Sequence, residues 1–201
     1  MNKVLILYPP EFQSQSKFDR KAGHITSKMQ DYCIVFPFDK NDLIKNLFSS
    51  KLDSVNLIQA VDWEPLGITH AIIFDDGEVF PDEVKKIEAI GIPFRLIRIQ
   101  ITRVVNIKKE TKFAGARSTP DYEYIGRGAY WGNPYSLFAE SGNLEEVIRK
   151  YKYDFDYEKF PNKEKSEIYK LAGKRLGCFC KPDACHGDIL ADFLNKWDDG
   201  K

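Results

Sequence analysis

Val4-Leu5-Ile6-Leu7-Tyr8-Pro9-Pro10 is a continuous apolar run stopped by two prolines. A strand covered on both faces of a parallel sheet has this composition, because neither face meets water. Tyr32-Cys33-Ile34-Val35-Phe36, stopped at Pro37, repeats the form. So does His70-Ala71-Ile72-Ile73-Phe74, which ends in Asp75-Asp76-Gly77. Pro93-Phe94-Arg95-Leu96-Ile97-Arg98-Ile99 is the fourth such run. Helices are expected between them, over Phe18 to Gln30, Asn41 to Phe48 with Asn41 as its cap, Val55 to Trp63, and Pro81 to Ile90. Pro81 suits a first helical turn, the acids after it suit the positive end of the helix dipole, and Gly91 suits a left-handed stop. Strands alternating with helices predict an α/β chain. Residues 1–100 read as a Rossmann-like parallel sheet with flanking helices, and 101–201 as a smaller α/β or α+β domain.

Ligands of such sheets bind beyond the carboxyl ends of the strands. Those ends carry Tyr8-Pro9-Pro10, Pro37-Phe38-Asp39 and Asp75-Asp76-Gly77. Asp75 and Asp76 are candidates for a ribose or a metal, and equally for an ordinary acidic turn. Neither G-x-G-x-x-G nor a Walker lysine motif occurs.

Composition narrows the classes. Of 201 residues, 43% are hydrophobic and 30% charged, which supports a packed core. Lys plus Arg is 30 and Asp plus Glu is 30, so net charge gives no case for nucleic acid. No apolar run approaches the roughly 18 residues of a membrane span. The first apolar run reads as a strand and not as a signal peptide, which predicts a reducing, cytoplasmic setting. The four cysteines (Cys33, Cys178, Cys180, Cys185) are then free, metal-bound or catalytic. Cys33 sits inside a strand and reads as core. His24 and His70 carry no clear signal.

The character changes near residue 100. Arg103 to Ile107 reads as a strand, Lys108 to Asp121 as a polar loop, Leu144 to Tyr151 and Lys163 to Leu171 as helices, Leu176 to Cys180 as a short strand, and Ile189 to Trp197 as a last helix. Two constellations stand out. The first is Gly126-Arg127-Gly128-Ala129-Tyr130-Trp131-Gly132-Asn133-Pro134. Gly126 and its fellow glycines let backbone approach a ligand. Arg127 can grip a phosphate, Tyr130 and Trp131 offer stacking faces, and Asn133 can bond a ring edge or hydroxyl. These are the parts of a nucleotide pocket, and equally those of a tight turn anchored by aromatic packing.

The second is Cys178-Phe179-Cys180-Lys181-Pro182-Asp183-Ala184-Cys185-His186-Gly187-Asp188. Cys185 stands at the start of the last helix, where the dipole favours a thiolate, with Lys181 and His186 adding to the effect. Cys185 is thus a candidate nucleophile, His186 a base or substrate contact, and Asp188 a group that orients His186. Alternatively Cys178, Cys180, Cys185 and His186 form a zinc ligand set, although one intervening residue between Cys178 and Cys180 is fewer than zinc sites usually have. As a third option the cysteines are small core residues.

Residues 102–195 resemble an uncharacterised domain family of phages and bacteria. Its members pair a Val-Val-Asn strand, an Ile-Gly-Arg…Trp-Gly-Asn-Pro loop and a Leu-x-Cys-x-Cys…Cys-His-Gly-Asp segment. Here these are Arg103 to Asn106, Ile125 to Pro134 and Leu176 to Asp188. The resemblance implies no established activity. The ending is also similar to a second uncharacterised family with Cys-His-Arg, where this chain has Gly187. The N-terminal half resembles the Rossmann-like group of lysine-decarboxylase-like phosphoribohydrolases and nucleoside deoxyribosyltransferases, without their glycine-rich phosphate motif.

Three functions are compatible with these residues. One is an enzyme acting on a nucleotide or nucleoside derivative, with a glycosidic bond as the point of attack and no cofactor. Another is a module that binds or sequesters a nucleotide without turnover. The last is a zinc-stabilised adaptor for protein or nucleic acid.

Overall fold

The computed structural model describes all of the chain except residues 50–54, 137–141 and 161–162. The chain divides into two compact units, Met1–Ile99 together with Lys196–Lys201, and Gln100–Asn195.

The first unit is built on β1 (Asn2–Leu7), whose Val4, Leu5, Ile6 and Leu7 are all buried. A helical run follows as α1 (Gln15–Phe18), a π turn (Asp19–Gly23) and α2 (His24–Thr26). It starts earlier than its apolar residues indicate, because the Ser14 hydroxyl accepts from Lys17 N–H and caps it. Next come β2 (Tyr32–Phe36), α3 (Leu43–Ser49), β3 (Leu57–Gln59), β4 (His70–Asp75), α4 (Pro81–Ile90) and β5 (Phe94–Arg98). The strands run in the order β3-β2-β1-β4-β5, all parallel. The chain moves outward from β1 on one side, then returns to β4 on the other, so the switch point lies between β1 and β4.

Two expectations fail here. Val55 to Trp63 is not a helix, because Leu57–Gln59 pairs with Ile34–Phe36 as a short edge strand. Tertiary pairing outweighs local preference in so short a window. Asn41 does not cap α3, since its amide donates to the carbonyls of Pro10 and Phe12. The buried Asp39 carboxylate caps it instead, accepting from Ile44 N–H at 3.1 Å and Lys45 N–H at 3.0 Å. At α4 the expected signals operate: Pro81 and two acids open it, and Gly91 closes it at φ 74°. The two acids after β4 serve their own turn. Asp75 accepts from Gly77 N–H and pairs with Arg98, and Asp76 accepts from Glu78 and Val79 N–H.

The second unit contains β6 (Arg103–Asn106), β7 (Ser118–Thr119), β8 (Tyr122–Tyr124), α5 (Leu144–Asp156), β9 (Arg175–Cys178) and α6 (His186–Asn195). Its mixed sheet runs β6-β9-β8-β7, with only β7 antiparallel to its neighbour. The Asn143 side chain caps α5, which buries Val147, Tyr151 and Phe155 at four-residue spacing. Lys165–Leu171 is a 3-10 helix where an α-helix is expected. Its buried residues, Ile168 and Leu171, are three apart, which matches three residues per turn. The entry and exit of this unit are clasped together. The buried Asn195 side chain accepts from Thr102 N–H at 2.9 Å and donates to Thr102 C=O at 3.0 Å. Among the described residues no helix is long and apolar enough to cross a membrane.

Candidate functional site

The sheet of the second unit brings three separate sequence segments to one place. β9 is central, so Cys178 at its end lies beside Asn106 of β6, and Gly177 lies beside Tyr124 of β8. Beyond Tyr124 the chain enters the glycine-rich loop, and beyond Cys178 it enters the cysteine loop. A cavity of about 180 Å³ opens there, with Gly126, Arg127, Asn133, Cys178, Cys180 and His186 among its walls. The two candidate constellations thus share one cavity.

The glycine-rich loop is tight. Ala129 N–H donates to Gly126 C=O at 3.0 Å, and Gly132 N–H donates to Ala129 C=O at 2.9 Å. Trp131 is buried in the core and does not line the cavity. Its carbonyl accepts from the Tyr151 hydroxyl at 2.9 Å, which ties the loop to α5. Tyr130 is exposed, away from the cavity walls, and its hydroxyl bonds Glu167. Asn133 reaches the cavity while its carbonyl oxygen accepts from Tyr135 N–H at 2.9 Å. Arg127 is exposed at the rim and makes no ion pair among the described residues.

The cysteine loop is framed by Asn106, whose amide donates to the carbonyls of Phe179 and Lys181. Sequence reasoning placed Asn106 in a strand but saw no task for it. Only its position in the Val-Val-Asn motif hinted at one. Asn106→Ala removes both donors and also the oxygen that accepts from Lys108 N–H. We expect a loss of about 2 kcal/mol, with faster hydrogen exchange across 178–185 and faster Cys180 labelling by a thiol reagent. Unchanged exchange there would show that the loop holds itself.

Cys185 is the residue before α6, and the helix start has the pattern of a capping box. Its Sγ accepts from Gly187 N–H at 3.4 Å, while its own N–H donates to the Asp188 carboxylate at 3.1 Å. Asp188 also pairs with Lys181. These commitments correct two expectations. Asp188 does not orient His186, because it is spent on the helix cap and on Lys181. The Cys185 thiol is pushed up and not down, because its S–H donates to Cys178 and because it is buried. The same hydrogen bond draws Cys178 below its ordinary value, and burial raises Cys180.

His186 is buried against Tyr151, ring centroids 4.8 Å apart, and burial holds its pKa below the usual value. The Ile125 carbonyl accepts from Nε2 at 2.9 Å. That fixes the neutral ring as the Nε2–H tautomer and leaves the Nδ1 lone pair facing Cys185 Sγ, 3.7 Å away. Among the described residues, Cys178, Cys180 and Cys185 form a group whose sulfurs all lie within 4.8 Å of one another. A separate cavity of about 350 Å³ lies on the first unit, where His24 and His70 share a wall with Lys28 and Arg95.

The sequence profile of the minimal SLOG domain family matches residues 1–105, the part that forms the five-stranded sheet. The chain belongs to the minimal SLOG domain family. Residues 105–196, which contain the cavity and the cysteines, match a domain of unknown function, DUF4326. An Enterobacteria phage T4 protein, described as an uncharacterized 12.4 kDa protein in the nrdA-td intergenic region, is 41% identical over 73 residues. The match covers 36% of this chain and 66% of the phage protein. No solved structure matches the chain. The minimal SLOG half is thus followed in the chain by a half that matches a domain of unknown function.

Proposed function

We propose that the chain is an enzyme of nucleotide or nucleoside derivatives, with the cavity of the second unit as its substrate site. The observation that carries this is the convergence of the glycine-rich and cysteine loops on one cavity. The α/β minimal SLOG half agrees with a nucleotide-related role. At about 180 Å³ the cavity is smaller than the roughly 300 Å³ at which whole-ligand pockets begin. It takes one ring, a base or a sugar, and leaves a phosphate at the rim within reach of Arg127. Arg127 grips that phosphate, Asn133 bonds the ring, and the thiols and imidazole of Cys178, Cys180 and His186 form the wall at which chemistry occurs. Tyr130 and Trp131 contribute by shaping the loop and not by stacking on the ligand.

The test is thermal melting against nucleotides, nucleosides, nicotinamide dinucleotide and ADP-ribose, followed by product analysis for any ligand that shifts the melt. A ligand at about 100 times its Kd stabilises by about 2.7 kcal/mol. Arg127→Ala, at an exposed position, should leave the unliganded melt within about 0.5 kcal/mol of the parent. It should weaken a phosphate-bearing ligand about tenfold and leave the matching nucleoside unaffected. A panel that produces no shift would overturn the assignment, and binding without product would leave a sequestering module.

A further inference from the structure

We propose that Cys178, Cys180 and Cys185 hold one zinc-type divalent ion as thiolates, with the imidazole of His186, whose Nδ1 lies 3.7 Å from Cys185 Sγ, as the fourth donor. The sequence spacing argued against such a site, and the fold removes the objection. β9 stops at Cys178 and the chain turns through Phe179, so Cys180 swings back until the two sulfurs are 3.4 Å apart. Cys185 then arrives from the start of α6, and the three sulfurs lie within 4.8 Å of one another. Zinc–sulfur bonds of about 2.3 Å in a tetrahedron place sulfurs about 3.8 Å apart, so little movement is needed.

Three further features point to an ion and not to packing. A backbone N–H group is aimed at one of the sulfurs, from Gly187 onto Cys185 at 3.4 Å. Such a donor stabilises thiolate charge and orients a metal ligand. The Nε2–H of His186 is held by a backbone carbonyl, the usual support of a metal-bound imidazole, which leaves Nδ1 free to coordinate. Cys180 is only partly buried and lines the cavity, which provides a path for an ion to enter. Three soft sulfur donors select zinc over magnesium or calcium. The inference stands on the cysteine geometry alone and does not depend on a nucleotide ligand.

The experiment is cobalt(II) titration of the full chain, purified with a non-thiol reductant and then stripped of metal. One equivalent should give the thiolate charge-transfer and visible bands of a tetrahedral sulfur site, and zinc should displace it. Cys180→Ser should weaken binding at least tenfold, and Cys33→Ser, inside β2, should leave it unchanged. If Cys180→Ser does not fold, zinc content of the unstripped parent decides, and one ion per chain is expected. Folded parent protein that gives only the weak bands of octahedral cobalt would overturn the proposal. So would an unaltered sulfur spectrum in folded Cys180→Ser. Neither readout involves a nucleotide, so the metal site and the substrate site fail or succeed separately.

Discussion

Gly132→Ala is expected to destabilise the second unit by about 3 kcal/mol. A Cβ at Gly132 would stand 2.4 Å from the Gly126 carbonyl oxygen and 3.0 Å from that of Ala129. Both are backbone atoms in the same closed loop, so neither can rotate away. Overpacking in a well-packed region costs about 1–3 kcal/mol, and displacing Trp131 from its buried seat puts the cost at the upper end. The control is Gly128→Ala. Gly128 has φ 81° and open space where a Cβ would be, so only left-handed strain of about 1 kcal/mol applies. Denaturant unfolding of both variants decides the matter. Equal losses would mean that the loop relaxes, and that its closure does not define the cavity.

The second large effect is expected in the first unit. Asp199→Ala should cost about 3 kcal/mol or more. Lys17 Nζ lies 2.7 Å from Asp199, and the two side chains are only 6% and 14% exposed. Removing the carboxylate leaves a buried ammonium without its partner, the costly way to break such a pair. Replacing both partners, as Lys17→Met with Asp199→Leu, should recover much of the loss. An exposed pair supplies the comparison: Lys85 and Asp82 are 74% and 80% exposed, and Asp82→Ala should change stability by less than about 0.5 kcal/mol. A loss at Asp199 no larger than that at Asp82 would show that water reaches Lys17.

How far these features were legible in the sequence depends on how local they are. The buried strands of the first unit could be read because Val4–Leu7, Ile34–Phe36 and Ala71–Phe74 are apolar on both faces. β3 could not, because Leu57–Gln59 becomes a strand only by pairing with β2. The caps divide in the same way. Pro81 and Gly91 act within their own helix, whereas Asp39 reaches α3 across a loop that sequence cannot close. In the second unit the important residue types were visible and their duties were not. Trp131 looked like a stacking face, yet its ring is core. Asp188 looked like a partner for His186, yet the nearest imidazole acceptor is the Ile125 carbonyl, sixty-one positions away in the chain. Cys178 and Cys180 are separated by one residue, and linear separation does not reveal the turn at Phe179 that brings their sulfurs to 3.4 Å.

The Thr102–Asn195 clasp has a consequence for folding cooperativity. Lys196–Lys201 completes the first unit although Gln100–Asn195 intervenes, so that unit is discontinuous in sequence. Had the intervening chain been flexible, bringing its two ends together would cost on the order of 4 kcal/mol of loop entropy. With the second unit folded and its two ends joined by the Asn195 amide, that entropy has already been lost, and the tail is presented to the first unit at high effective concentration. Unfolding of the second unit therefore propagates to the first through chain connectivity alone, and the two should melt as a linked pair.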